Sequence, residues 1–132
     1  MIIDKSNFPN IIVNLISIEN DKSYNQLIEK LEELHEIKTK ITLHVETILV
    51  KNISMKYLYR FGKYLNEIRK RTPIIEYIEI KVYDNVVFTL LNTLFTFVSK
   101  PITKTTIVFY DGGYDEKIKN RNVIKTKIFN VK

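Results

Sequence analysis

Few residues in this 132-residue chain have the type and spacing to do chemistry. It has no Cys, which excludes disulfides, thiolate metal sites and thiol nucleophiles. Its two histidines, His35 and His44, lack the His-Glu-x-x-His spacing, so structural roles are expected and no metal site is. Glu76 with Glu79, and Asp111 with Asp115, are paired carboxylates without an acid/base constellation around them. Gly112-Gly113 is not followed by the Gly-Lys of a phosphate loop. No Ser-His-Asp arrangement stands out. Neither an enzyme nor a cofactor is expected.

One hydroxyl and two surfaces remain. Ser54 opens a helix, where its side chain can cap free backbone N–H groups. The same place suits a phosphoacceptor, because a phosphate there meets the positive end of the helix. The helix it opens carries Lys56, Tyr59, Arg60, Lys63, Lys70 and Arg71 on its outer side, with Glu67 among them. Cations beside an aromatic ring can hold phosphates and stack bases. A solvated Lys-rich face is the plainer reading. The second surface is the run from Val86 to Ser99, which has no charged residue. Val86, Phe88, Leu91, Phe95 and Phe97 offer more apolar surface than one packing stripe needs. The excess is either core or a surface for a protein partner, a second copy included.

The elements that position these residues follow from periodicity. Ile11–Ile18 is short and β-branched after Pro9, and predicts a strand. Asp21–Gln26 opens a helix that ends near Ile37; Ser23 caps it and Gln26 completes a capping box. Tyr24, Leu27, Ile28, Leu31 and Leu34 share its inner face. Lys40–Val50 alternates, with Ile41, Leu43, Val45 and Thr47 on one face and Thr42, His44 and Glu46 on the other. Asn52–Ser54 is a polar break. Met55, Leu58, Phe61, Leu65 and Ile68 then predict a helix stopped by Pro73. Ile74–Tyr83 is a third strand with Ile78, Ile80 and Val82 inward. Asp84 or Asn85 caps a helix from Val86 to Ser99, ended by Pro101. Thr105–Tyr110 is a fourth strand, Asp111–Gly113 a turn, Asp115–Asn122 a charged loop and Val123–Val131 a last strand.

The order β-α-β-α-β-α-β, then β, predicts a single α/β domain over residues 1–132. A mixed, largely parallel sheet with three helices is expected. A chain this long buries roughly 68% of its unfolded surface, and a 45% hydrophobic content is not that of a disordered segment. The start, with Asp4 and Asn7, lacks the basic region of a secretory signal, and no stretch reaches the length of a membrane span. A soluble, cytoplasmic protein without a membrane partner is expected.

The net charge is +6, but residues 1–50 carry five basic and eight acidic side chains and the remainder sixteen and seven. Such asymmetry suits a nucleic-acid or acidic partner. The basic segment Lys117–Lys127 joins the helical face in that alternative. With 21 Ile, 17 Lys, 12 Asn and no Ala, the chain also reads as the product of an A/T-rich genome, such as a large DNA virus or a low-GC bacterium. Codon bias accounts for much of its lysine.

From Ile41 to Phe109 the pattern resembles a STAS-like domain, the fold of bacterial anti-sigma-factor antagonists and transporter regulatory tails. Ile41–Val50 is similar to the central strand of that family. Asn52-Ile53-Ser54-Met55 is similar to its Asp-Ser-Ser-Gly loop, and to the Asn-Thr-Ser-Ser loop of a related branch. Tyr83-Asp-Asn85-Val-Val-Phe88 is similar to its Asn-Pro-x-x-x-Val helix start. The resemblance implies a non-enzymatic interaction module in which phosphorylation at this loop switches a protein partner. Ser54 alone matches the acceptor; Ile53 stands where the other branch has a hydroxyl, Asn52 where the antagonists have an acid, and Met55 where they have Gly.

Overall fold

The computed structural model describes residues 3–71, 75–98, 100–101 and 103–130. The side chains of residue 35, residues 51–53, 55, 66, 68–71 and residue 98 are outside that description. The helix stop at Pro73, the role of His35, the loop side chains of Asn52, Ile53 and Met55, and the contacts expected of Lys70 and Arg71 therefore lie outside the described residues.

One sheet of six strands organises the chain: β1 (Ile3–Asn7), β2 (Asn10–Ile18), β3 (Ile41–Ile53), β4 (Ile75–Val82), β5 (Lys104–Tyr110) and β6 (Val123–Phe129). Their spatial order is their sequence order. The four central strands run parallel, and β1 and β6 are antiparallel additions at the two edges. Three helices connect the parallel strands: α1 (Asp21–Glu32), α2 (Met55–Arg71) and α3 (Asn85–Thr93). The expected mixed α/β fold is the observed one, with a β1–β2 hairpin that periodicity did not indicate.

The core is continuous. Ile11, Val13, Ile41, Leu43, Val45, Ile78, Ile80, Val82 and Ile107 on one sheet face pack with Leu27, Leu31, Leu58, Phe61, Leu65, Phe88 and Leu91 from the helices. The other face is half-exposed, carrying Thr42, His44, Glu46, Tyr77, Glu79 and Lys81. This is why the middle strands alternate rather than reading as unbroken apolar runs. Past Glu46 the β2–β3 register slips twice, from Asn14 opposite Glu46 to Ile16 opposite Leu49 and Ile18 opposite Ile53. These bulges end the alternation: Leu49 reaches solvent while Thr47 and Val50 are buried. Thr47 satisfies its hydroxyl by donating to the Lys81 carbonyl at 2.6 Å.

Three boundaries differ from expectation. The cap of α1 is Asn20, not Ser23. The Ser23 N–H donates to Asn20 Oδ1, and Ser23 Oγ accepts the Asn20 N–H, so Ser23 completes the capping box in the place given to Gln26. β3 runs on to Ile53 instead of breaking at Asn52. The third helix starts at Asn85, capped by Asp84, and gives way to a π turn over Leu94–Val98; Ser99 lies outside the described residues. A π turn adds a residue to the coil, and here the adjacent Leu94 and Phe95 are both buried. Leu94 presses on α2 at Gly62, where a Cβ would lie 2.5 Å from Leu94 Cδ2.

Candidate interaction site

The parallel strands all end at the same side of the sheet, so the N-termini of α1, α2 and α3 meet there. That edge gathers one group of polar contacts between elements. Tyr57, in the first turn of α2, donates its hydroxyl to Asp21 Oδ1 at 2.9 Å and stacks on Tyr24 with ring centroids 5.6 Å apart. Arg60 reaches the same carboxylate at 3.1 Å and Lys56 approaches it at 3.6 Å. The Tyr57 hydrogen bond, then Lys56 and Arg60, hold the Asp21 carboxyl below its ordinary value. Burial, then the Asp21 bond, pushes the Tyr57 hydroxyl up.

Ser54 sits at this edge, exposed, and its Oγ accepts the Tyr57 N–H at a long 3.5 Å. Its carbonyl takes the Leu58 N–H at 3.1 Å. That is cap geometry, and it leaves the hydroxyl at the surface beside the turn carrying Lys56 and Tyr57.

The basic face of α2 is therefore partly spent inside the molecule. Lys56 and Arg60 serve Asp21, and Arg60 also lies over Tyr24 and Tyr57, at 5.9 and 5.8 Å. Tyr59 and Lys63 remain on the outside, with the Lys63 ammonium 5.5 Å from the Tyr59 ring centre.

The apolar run divides as well. Phe88, Leu91 and Phe95 belong to the core, which corrects their placement on a partner surface: α3 and the π turn pack them against the sheet, and Phe88 and Phe95 meet Phe109 and Phe129, respectively. Val86 and Phe97 do reach solvent, 67% and 80% exposed.

A second set of contacts crosses the open face. His44 bridges Glu79 through Nδ1 at 3.2 Å and Asn10 through Nε2 at 3.0 Å. Tyr83 donates to Glu46 Oε2, which also accepts the Ile48 N–H at the bulge. Tyr83 is buried under the loop that joins β5 to β6. The Arg121 guanidinium lies 4.7 Å above its ring and donates to the carbonyls of Asp111, Gly113 and Asp115 at 2.6–2.7 Å. Gly112 and Gly113 take positive φ there, as the turn requires. Tyr114 from this loop donates to the capping Asp84 at 2.7 Å. Burial, then the bond to a carboxylate, raises the pKa of both Tyr83 and Tyr114 above the ordinary tyrosine value.

The alternation puts His44 and Glu79 on the polar sides of their strands but does not show that they meet. That needs the register, in which Asn10 lies opposite Thr42 and His44 opposite Glu79. The pairing of Asp21 with Tyr57 and Arg60 had no local signal at all.

The apolar space under α2 and α3 is too small for a ligand chamber. Between α2, α3 and the sheet an enclosed space of about 20 Å³ is lined almost wholly by apolar groups, which is at most the size of one water. Among the described residues no cluster of three or more His, Asp or Glu could hold a metal, and no helix is long and apolar enough to cross a membrane. No protein-family model, no curated protein and no solved structure matches the chain.

Proposed function

We propose that this chain is a STAS-like interaction module of the cytoplasm that works by binding a protein, a second copy of itself included, and not by catalysis. The observation that carries the reading is the exposure of Phe97 and Val86 on a segment without charges. A phenyl ring 80% in water gains little from the fold that holds it and much from a partner that covers it. The polar groups support the same side. His44, Asp21, Glu46 and Asp84 each hold another element of the molecule in place. The exposed Ser54 hydroxyl at the start of α2 suits a phosphoacceptor that alters such binding, as the family resemblance implies.

Light scattering on the full chain across concentration tests the self-association form. A concentration-dependent dimer that Phe97→Ser returns to monomer, with unchanged circular dichroism, supports it. A monomer at millimolar concentration removes it and leaves a different protein as partner. Ser54→Glu should change partner binding without unfolding the chain; unchanged binding ends the switch.

A further inference from the structure

β6 is an open sheet edge. Among the described residues the strand order stops there and its sheet partner is β5 alone, so alternate backbone N–H and C=O groups point outward with no described strand beside them. The strand is exposed along nearly its whole length, and Ile124 and Ile128 are each about half in water, 52% and 50%.

Its two sides differ. Thr126 and Ile128 lie opposite Val108 and Thr106, which puts them on the open face of the sheet; Ile124 shares their side by strand alternation, next to the irregularity that sets Val123 opposite Tyr110. Lys125 and Lys127 lie opposite Phe109 and Ile107 on the helix side. Neither ammonium group forms an ion pair among the described residues. Lys125 donates to the Asn85 amide oxygen at 2.9 Å and stands 5.1 Å from the Phe88 ring centre; Lys127 stands 5.6 Å from that of Phe129. Between 100 and 130 the chain carries seven basic and three acidic side chains. The edge thus offers a row of backbone groups, an aliphatic side and a cationic side.

A row of amides spaced for a β-ladder is satisfied by polypeptide backbone, not by a nucleic acid. The side chains then choose among polypeptides. A second copy pairing antiparallel about Thr126 sets Ile124 against Ile128, which is favourable. It also sets Lys125 against Lys127, twice, and like charges directly opposite resist pairing. Lysines on an edge strand guard against self-pairing in this way. An acidic strand meets attraction where a second copy meets repulsion.

The geometry points to an extended segment of another protein, alternating carboxylate with aliphatic side chains, that adds to β6 as a seventh strand. Its carboxylates face Lys125 and Lys127, and its aliphatic side chains extend the face begun by Ile124 and Ile128. This rests on the interaction-module reading and supplies it with a partner class.

The test uses the full chain and a capped, fluorescein-labelled octapeptide of alternating Glu and Val. An alternating Lys and Val octapeptide, an octaglutamate and an oligothymidylate serve as controls. Saturable binding of the Glu/Val peptide is expected, with slowed amide exchange confined to residues 123–129. In the Lys125→Glu/Lys127→Glu chain that peptide binds about tenfold more weakly and the Lys/Val peptide more tightly. If charge reversal disturbs the fold, Lys125→Gln/Lys127→Gln carries the same comparison. Equal affinity for octaglutamate, displacement by the oligothymidylate, no binding of the Glu/Val peptide, or protection of 123–129 in a dimer without peptide each overturns the inference. A chain that ignores the peptides yet associates through Phe97 loses this inference alone; a monomer that still binds the Glu/Val peptide loses only the self-association form of the interaction-module reading.

Discussion

Tyr83 shows how one side chain joins three parts of the molecule. Its ring lies under Arg121 and stacks on Tyr110 at 5.9 Å, and its hydroxyl donates to Glu46 at the β3 bulge. A hydrogen bond to a charged group is worth about 1.5–3 kcal/mol, and Tyr83→Phe is expected to cost that much in denaturant unfolding. The alkaline limb carries a second signature. Tyr83 and Tyr114 hold their protons more tightly when folded than the ordinary value of 10.0. A raised folded pKa contributes stability that is complete below the unfolded pKa and is lost as pH rises above it. Stability should therefore fall from about pH 10 upward, and the double Tyr83→Phe/Tyr114→Phe chain should show a flatter fall. An equal slope in both chains would remove tyrosine ionisation as the cause.

At the scale of elements, two contacts decide whether loops and helices keep their places. The β5–β6 loop is held by the Arg121 guanidinium, which satisfies three carbonyls, together with the Tyr114–Asp84 bond and the Asp111–Asn122 pair. Lysine cannot reproduce that fork. Arg121→Lys and Arg121→Ala should both loosen residues 111–122, seen as faster amide exchange there, with a stability loss of about 1–3 kcal/mol. Gly62 acts on the α2–α3 contact. Gly62→Val forces a buried Leu94 to move and should cost about 1–3 kcal/mol as overpacking; a thermal midpoint equal to that of the original chain would contradict the close approach. The elements themselves were legible in the sequence, because burial on one sheet face writes period-2 patterns into β3 and β4 and a 3–4 spacing into α1 and α2. The β1 hairpin was not, since Ile3–Asn7 is polar and its pairing depends on β2. Neither was the π turn, because apolar residues occupy more than one stripe of α3 and the turn after it and hide the phase. At the site, Ser54 was readable as a cap, whereas Asp21 was invisible until α1 and α2 lay side by side.

Across the whole molecule the strand order turns a sequence gradient into a spatial one. The weakly acidic first third lies on the β1 side of the sheet and the basic last third on the β6 side. The net positive charge is thus weighted toward one end of the sheet. The reading of α2 as a phosphate surface weakens at the same time, since Asp21 engages Lys56 and Arg60. Salt separates the two kinds of contact. Association through Phe97 should persist from 0.1 to 0.5 M salt, whereas retention on nucleic acid should fall steeply over that range. Retention unchanged at the higher salt would contradict a phosphate contact.

The same strand order has a consequence for how the chain is made. Each strand pairs with the one synthesised just before it, so nothing already formed has to be prised open to admit a later piece. The hairpin of β1 and β2 can receive β3 as soon as α1 has left the ribosome, and each following helix-and-strand unit docks on a finished border. Assembly can proceed in the direction of translation, with short loop closures at every stage. Among the described residues β6 is the last strand to be laid down, and it docks on a border that is already complete.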